Sequence, residues 1–400
     1  MDSGKPRLMA LDVLRGLAVA AMIVVTSPGD WNQTYAPLQH AAWHGWTPTD
    51  LIFPTFMFSV GLALGLSFPR VVADRAAWLG VWRAVARRVI LLILLGLALE
   101  LIYTGLRSLG APGAGVGDMA HLRIPGVLQR IGLCYGLVAT LILATGWDRG
   151  ARAVRIRPWV IVVAAAVILV GYAVLMLFVS APGFEPGSLD PEGNLASWID
   201  RTIFTPSHLW PLGSIEWAGP VVYDPEGLLS TLPACVNVLA GILTIWAWRQ
   251  RGGRSVLGIA LAGTGLILLG LVIDPVFPIN KRIWTSSFAL LSSGASMLMF
   301  AAITHLLRAK LAERLSWPLR VLGANAIVAF VISILFGFVR DWPFIMSNGH
   351  LFGFREWSNA AVTHLIGDPK IASLTLALMA LTAIVLIVWP FHKRGLHLRL

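Results

Sequence analysis

Apolar runs of about twenty residues, separated by short polar or basic segments, recur along the whole of this 400-residue chain. A bilayer core of about 30 Å takes roughly 20 apolar residues per crossing helix. The runs predict ten spans, at 8–26, 51–69, 89–107, 124–146, 159–181, 227–248, 255–273, 285–307, 320–339 and 371–391. The expected fold is therefore all-α, a polytopic transmembrane helical bundle of about ten spans. It forms a single integral-membrane domain over 1–400, with its largest loop between 182 and 226. Composition agrees: 57% of residues are hydrophobic and 13% charged, where soluble domains carry roughly a quarter charged. The mean hydropathy is +0.75. The first run is not read as a cleaved signal, because Asp12 and Arg15 interrupt it and no small-residue cleavage site follows.

The net charge of +11 does not indicate nucleic acid, whose readers gather Lys and Arg on one patch. Here the basic residues punctuate apolar runs, as membrane topology requires, so lipid is the expected surrounding and no nucleic-acid partner is expected. The two cysteines, Cys134 and Cys235, lie inside apolar stretches, which argues against a disulfide framework. Lys and Arg collect on the cytoplasmic side of membrane proteins. The amino terminus, 70–88, 147–158, 249–254, 308–320 and the carboxyl tail hold 21 of the 31 basic residues. These segments are expected to be cytoplasmic, together with both termini. The opposite loops hold most of the acids, including Glu185, Asp190, Glu192, Asp200, Glu216, Asp224 and Glu226. The loop from Ser27 to Thr47 has no Lys or Arg and is expected on the extracytoplasmic face.

Several polar residues stand out against this background. Thr47, Pro48 and Asp50 form a helix start, with Thr as N-cap, Pro at the first position and a carboxylate at the third. Asp50 can be a cap alone, or it can form an acid and base pair with His40, ten residues earlier, since histidine titrates near neutrality. Asp12 and Arg15 lie three apart on one helix face inside a span, where charges mark either a site or a structural pair. Arg123 and Arg130 flank "IPGVLQ", which ends in Gln129, at the start of the fourth span. Arginine suits phosphate or carboxylate, although Arg123 also suits an interface anchor. Asn280, Lys281 and Arg282 form the paired basic step of the outer side, and Asn325 interrupts the ninth span. Polar residues of this kind also bond between helices. His40 and His44 have i, i+4 spacing, but Gly45 argues against a helix there, and no metal is expected. Walker, nucleophile-elbow, zincin and dinucleotide signatures are missing from the sequence.

In order along the chain, "HAAWHGWTPTDLIFPTFMF", "RIPGVLQRIGLCY", "WIDR", "YDPEGLLST", "NKRIWTSSF" and "GANAIV" closely resemble the family of heparan-alpha-glucosaminide N-acetyltransferase and its bacterial relatives. The resemblance runs from about Arg7 to the last span. It implies transfer of acetyl from cytoplasmic acetyl-CoA to the amine of a terminal glucosamine, or a related amino sugar or glycan, on the far side of the membrane. The active-site histidine of the family falls on His40 and its nearby aspartate on Asp50. Arg123, Gln129, Arg130, Asp12, Arg15 and Asn325 are then candidates for the acetyl-CoA side. Trp43, His44, Thr26, Asp224, Glu226, Asn280 and Lys281 are candidates for the acceptor side. Two transfer routes stay open, through an acetyl-imidazole on His40 or directly in a ternary complex.

Departures from the family pattern bear on this expectation. Relatives commonly carry an asparagine at the end of the first span, where this chain has Thr26 and Ser27, and His44 stands where the animal enzyme has asparagine. The abundant tryptophans of the outer side, Trp31, Trp43, Trp46, Trp198, Trp210 and Trp217, suit an interfacial belt, with Trp43 the one expected to touch the acceptor. The chain begins close to its first span, without the lumenal segment of the animal enzyme. A bacterial member in the inner (plasma) membrane is therefore expected. The competing reading is an amino-sugar or lipid-linked sugar transporter or flippase on the same scaffold. Oligomeric state is left open, a homodimer being one arrangement such bundles adopt.

Overall fold

The computed structural model describes residues 8–68, 70–72, 74–110, 121–148, 150–211, 221–252, 256–347 and 350–396. Glu216 and Trp217 lie outside the described residues. Long apolar runs become helices: α1 (Met9–Thr26), α2 (Ile52–Leu66), α3 (Arg75–Gly110), α4 (Val127–Thr145) and α5 (Pro158–Phe178). The short α6 (Leu195–Phe204) precedes α7 (Thr231–Gln250), α8 (Val256–Ile273) and α9 (Ser286–Leu306). The chain ends with α10 (Lys310–Leu315), α11 (Trp317–Ala324), α12 (Ala326–Asp341), α13 (Phe354–Ile366) and α14 (Pro369–Lys393). Five strands of two to five residues join two small antiparallel sheets.

Eight of these helices are long and apolar enough to cross a membrane. The span expected at 320–339 is corrected by the structure: α11 and α12 are bent by 90° at Asn325, and together they make a ninth candidate. Asn325 has φ −126° and ψ 38°, outside helical geometry, and its side-chain amide donates to the Val321 carbonyl at 3.4 Å. Asparagine favours such local bonding over helix continuation, which gives the break a cause in the sequence. The segment proposed at 89–107 lies within the 36-residue α3. Helices α5 and α8 are apolar on every side, yet Val167, Val170, Leu257 and Val272 are at least 64% exposed. Side chains of that kind belong in lipid, and the chain is an integral-membrane protein.

The chain divides into two units, one holding the described residues of 1–40, 47–56 and 298–399, the other those of 41–46 and 57–297. In the first unit α1 packs on α11 and α14 around Val19, Ile23, Leu322, Ala329, Ile384 and Val388. Two glycines let α1 and α11 approach closely. A Cβ at Gly16 would lie 1.8 Å from the Leu319 carbonyl oxygen, and one at Gly323 would lie 1.8 Å from that of Asp12. Close approach through small residues is a usual way for helices to pack in lipid, where no hydrophobic force draws them together.

The second unit is tied by buried polar side chains as well as by packing. Asn237 of α7 donates to Ser292 and Ser293 of α9, each at 3.0 Å, and accepts from Trp284 Nε1 at 3.1 Å. At one end of this unit Trp43, Tyr172, Met176, Leu195, Val222, Tyr223, Phe277 and Ile283 form an apolar cluster. That cluster fixes the loop around α6 and the strap Ala41–Trp46.

Candidate active site

In the first unit the chain reaches α2 through a 3-10 turn, Pro48–Leu51, with Thr47 at its N-cap. Helix starts leave backbone N–H groups unsatisfied and favour negative charge, and Asp50 meets both demands. Its Oδ2 accepts from Thr47 N at 2.9 Å. Its Oδ1 faces His40 Nδ1 at 2.7 Å. The Thr47 hydroxyl donates to the Gln39 carbonyl at 2.7 Å and lies 3.2 Å from Asp50 Oδ2. Thr49 adds a bond to the Pro37 carbonyl at 3.0 Å, so the loop preceding His40 is folded back on the helix start. Asp50 is 1% exposed and the His40 side chain 37% exposed.

This geometry fixes the imidazole. A carboxylate only accepts, so Nδ1 of His40 carries the proton and the basic lone pair lies on Nε2. A base oriented by a buried carboxylate is the arrangement that general-base and nucleophilic catalysis both require.

The other candidates of this unit are placed as follows. Asp12 is buried. Arg15 Nη1 lies 3.5 Å from the Gly323 carbonyl oxygen, and Asn325 sits at the bend. The Thr26 hydroxyl donates to the Met22 carbonyl of its own helix at 2.8 Å. Its hydrogen is thereby committed, which bears on whether it can replace an asparagine donor.

In the second unit the expected residues form a charged cluster around the turn Asp224–Gly227. Arg123 grips Asp224 with Nε and Nη2, at 2.8 and 2.7 Å, and Nη2 also reaches Glu226 Oε2 at 2.5 Å. Burial works against the Arg123 charge, but Asp224 and then Glu226 outweigh it and hold the guanidinium above its ordinary range. Burial would raise the Glu226 carboxyl; Arg123, with Arg130 and Lys281, lowers it instead. Asp224, Glu226 and Arg123 thus satisfy one another. Arg130, 1% exposed, donates through Nη2 to the Gly227 carbonyl and the Ser230 hydroxyl, and its guanidinium lies over the Trp284 ring at 5.1 Å. Gln129 donates to the Ile124 carbonyl at 3.0 Å and fills the space left by Gly96 and Gly126.

The strap Ala41–Trp46 carries the remaining candidates. Trp43 is 8% exposed, donates to the Leu189 carbonyl at 2.9 Å and meets Tyr223 edge-on at 5.1 Å. It ties Leu189 and Tyr223 together from within the apolar cluster. Asn280 Nδ2 lies 3.4 Å from His44 Nδ1. Burial pulls the His44 imidazole below its ordinary range, against the opposing pull of Asp190 and then Asp274. Arg282 lies over the Trp210 ring at 5.2 Å.

The family model described as the catalytic region of heparan-alpha-glucosaminide N-acetyltransferase matches residues 7–213 of this chain. The chain belongs to this family. A heparan-alpha-glucosaminide N-acetyltransferase of Homo sapiens is 27% identical over 321 residues, covering 71% of this chain and 46% of the human one. That of Mus musculus is 26% identical over 333 residues, covering 72% and 47%. The chain therefore spans just under half the length of these relatives. The family match contains His40, Asp50, Asp12, Arg15, Thr26, Trp43, His44, Arg123, Gln129 and Arg130, whereas Asp224, Glu226, Asn280, Lys281 and Asn325 lie beyond it.

Two residues of "WIDR" were not singled out from the sequence and hold the acidic turns. Arg201 donates to the carbonyls of Val222 at 2.7 Å and Glu192 at 2.8 Å. Asp200 Oδ1 accepts from Leu228 N at 2.8 Å, and a Cβ on Gly227 would lie 1.8 Å from Asp200 Oδ2. Burial, reinforced by Asp224, pushes the Asp200 carboxyl up to about 7 against the Leu228 bond and the charges of Arg130 and Arg201. The available signal was an acid and a base adjacent on a short amphipathic helix between two "DPEG" turns.

Proposed function

We propose that this chain transfers acetyl from acetyl-CoA to the amine of a terminal glucosamine or a related amino sugar. The observation that carries the reading is the contact between His40 Nδ1 and the buried Asp50 at 2.7 Å. Family membership and the names of the human and mouse relatives support the acyl chemistry. The distribution of Lys and Arg supports a cytoplasmic nucleotide and an acceptor on the opposite face, where the 27–47 loop lies.

His40 Nε2 serves either transfer route. As a nucleophile it attacks the thioester carbon; the C–S bond breaks, CoA leaves as the thiolate, and the acetyl then passes from the ring to the amine. As a base it takes the proton of the amine while nitrogen attacks the thioester directly in a ternary complex. In each case Asp50 stabilises the positive charge that the ring acquires. A transporter on this scaffold would show broken helices in both halves, and among the described residues one such break is present, at Asn325.

The test is CoA release from acetyl-CoA by the purified chain, with and without glucosamine. We expect His40→Ala to lose roughly 10²–10⁴ in rate. Equal rates in the two proteins would remove His40 from the reaction. Rapid quench with labelled acetyl-CoA and no sugar separates the routes, since label on His40 marks the covalent one.

A further inference from the structure

The strap Ala41–Trp46 follows His40 in the chain; Trp43 anchors it in the apolar cluster, and one titratable side chain, His44, lies at its contact with the loop around Asn280. Gly45, at φ +90°, donates its N–H to the Ile279 carbonyl at 2.7 Å and forms a bridge with Asn280. Asn280 is 0% exposed and held from several directions. Its backbone N–H donates to Thr285 Oγ1 at 3.0 Å, and its side-chain Oδ1 accepts from Ile283 N at 3.2 Å. Reversing the amide would set its NH₂ against the Ile283 N–H. The group presented to His44 Nδ1, 3.4 Å away, is consequently a donor. A neutral imidazole protonated on Nε2 accepts that bond, but an imidazolium has N–H on both nitrogens and cannot.

We propose that His44 is a positioning residue acting as a proton-sensitive latch: neutral, it holds the strap on the Ile279–Thr285 loop, and protonated, it releases it. Among the described residues, the charged groups acting on it are Asp190 and Asp274, both of which favour the imidazolium. Asp274 is itself bonded to Ile279 N at 2.6 Å, on the same loop. His44 is largely exposed, and partial desolvation of its imidazole outweighs both acids, so the neutral form is favoured and release lies on the acid side. The strap stays docked at neutral and alkaline pH. The latch is a statement about strap docking and goes beyond the proposed acetyl transfer.

The experiment is amide hydrogen exchange of the 41–46 segment in the full chain in lipid nanodiscs, corrected for intrinsic exchange, at pH 8 and pH 5. Losing one hydrogen bond and setting two donors face to face predicts about tenfold lower protection at pH 5 in the wild type. His44→Gln keeps an acceptor and cannot titrate, so its protection is expected to be equal at both pH values. Asn280→Asp offers a carboxylate to the imidazolium and is expected to reverse the pH effect. Protection in the wild type that ignores pH, or that falls equally in wild type and His44→Gln, overturns the latch. The exchange result stands whether or not the chain transfers acetyl, so failure of the latch and failure of the proposed function are told apart.

Discussion

Replacing Asp50 by asparagine tests whether the carboxylate is a helix cap or a partner in chemistry, because the substitution preserves the first role and inverts the second. Oδ2 of Asp50 accepts from Thr47 N, 2.9 Å away, and Oδ1 faces His40 at 2.7 Å. In Asp50→Asn one side of the group must be a donor. The backbone N–H of Thr47 cannot accept, so the amide oxygen has to face Thr47 and the NH₂ has to face His40. Nδ1 of His40 then becomes an acceptor, the ring proton moves to Nε2, and the lone pair needed there is gone. The cap bond survives, and the change in charge at the helix start costs only about 0.3–1 kcal/mol. The corresponding tautomer inversion in a serine protease triad lowers kcat about 10⁴-fold. We therefore expect Asp50→Asn to lose 10³–10⁴, on the order of 4–5 kcal/mol in transition-state stabilisation. Its melting temperature should stay within a few degrees of wild type. CoA release with glucosamine, measured beside thermal unfolding in the same detergent, reads both quantities. A folded variant retaining a tenth or more of the wild-type rate refutes the argument, since the tautomer would then not matter.

The other sites give sharper effects on stability than on chemistry. Arg123→Met leaves Asp224 and Glu226 without the cation that holds them, and removing one partner of a buried pair costs about 3–5 kcal/mol; thermal unfolding should show a large loss, and an unchanged melting temperature would mean that the cluster is solvated. Asp200→Asn keeps an acceptor for Leu228 N while removing a carboxyl raised to about 7. Because the folded state holds that proton and the unfolded state loses it near pH 4, wild-type stability falls as pH rises from about 4 to 7 and then levels off. The variant should match wild type near pH 4 and exceed it at pH 8 by at most about 4 kcal/mol. Melting curves at the two pH values check the sign.

How much of this was legible in the sequence follows from the range of each interaction. Spans are local: the requirement for about twenty apolar residues is met within one run, and the ends of α1, α4, α5, α8 and α9 fall within a few residues of where the runs place them. The break at 320–339 was written in one residue, Asn325, whose side chain bonds to the Val321 carbonyl instead of leaving the helix uninterrupted. The cap at Asp50 was equally local, with Thr47 three residues before it. The meeting of His40 and Asp50 was not, because a spacing of ten residues in a loop fixes no distance. It depends on Thr47 bonding to Gln39 and Thr49 to Pro37, which fold the loop over the helix start.

Interactions between distant segments were harder still. Nothing near Arg123 points to Asp224, 101 residues away, and in sequence the acids look available to the acceptor although Arg123 already holds them. Trp43 shows the same effect for an apolar side chain. A tryptophan three residues from a histidine suggests contact with the acceptor, and no local signal shows that Leu189 and Tyr223, near the two ends of another loop, converge on it and bury it. These two cases share a physical cause. In a chain whose spans are satisfied by lipid, the polar connecting segments must find their partners in one another. Asp50 is informative because it serves both scales at once: one oxygen completes the local cap, and the other is left facing His40 only because that cap holds the carboxylate still.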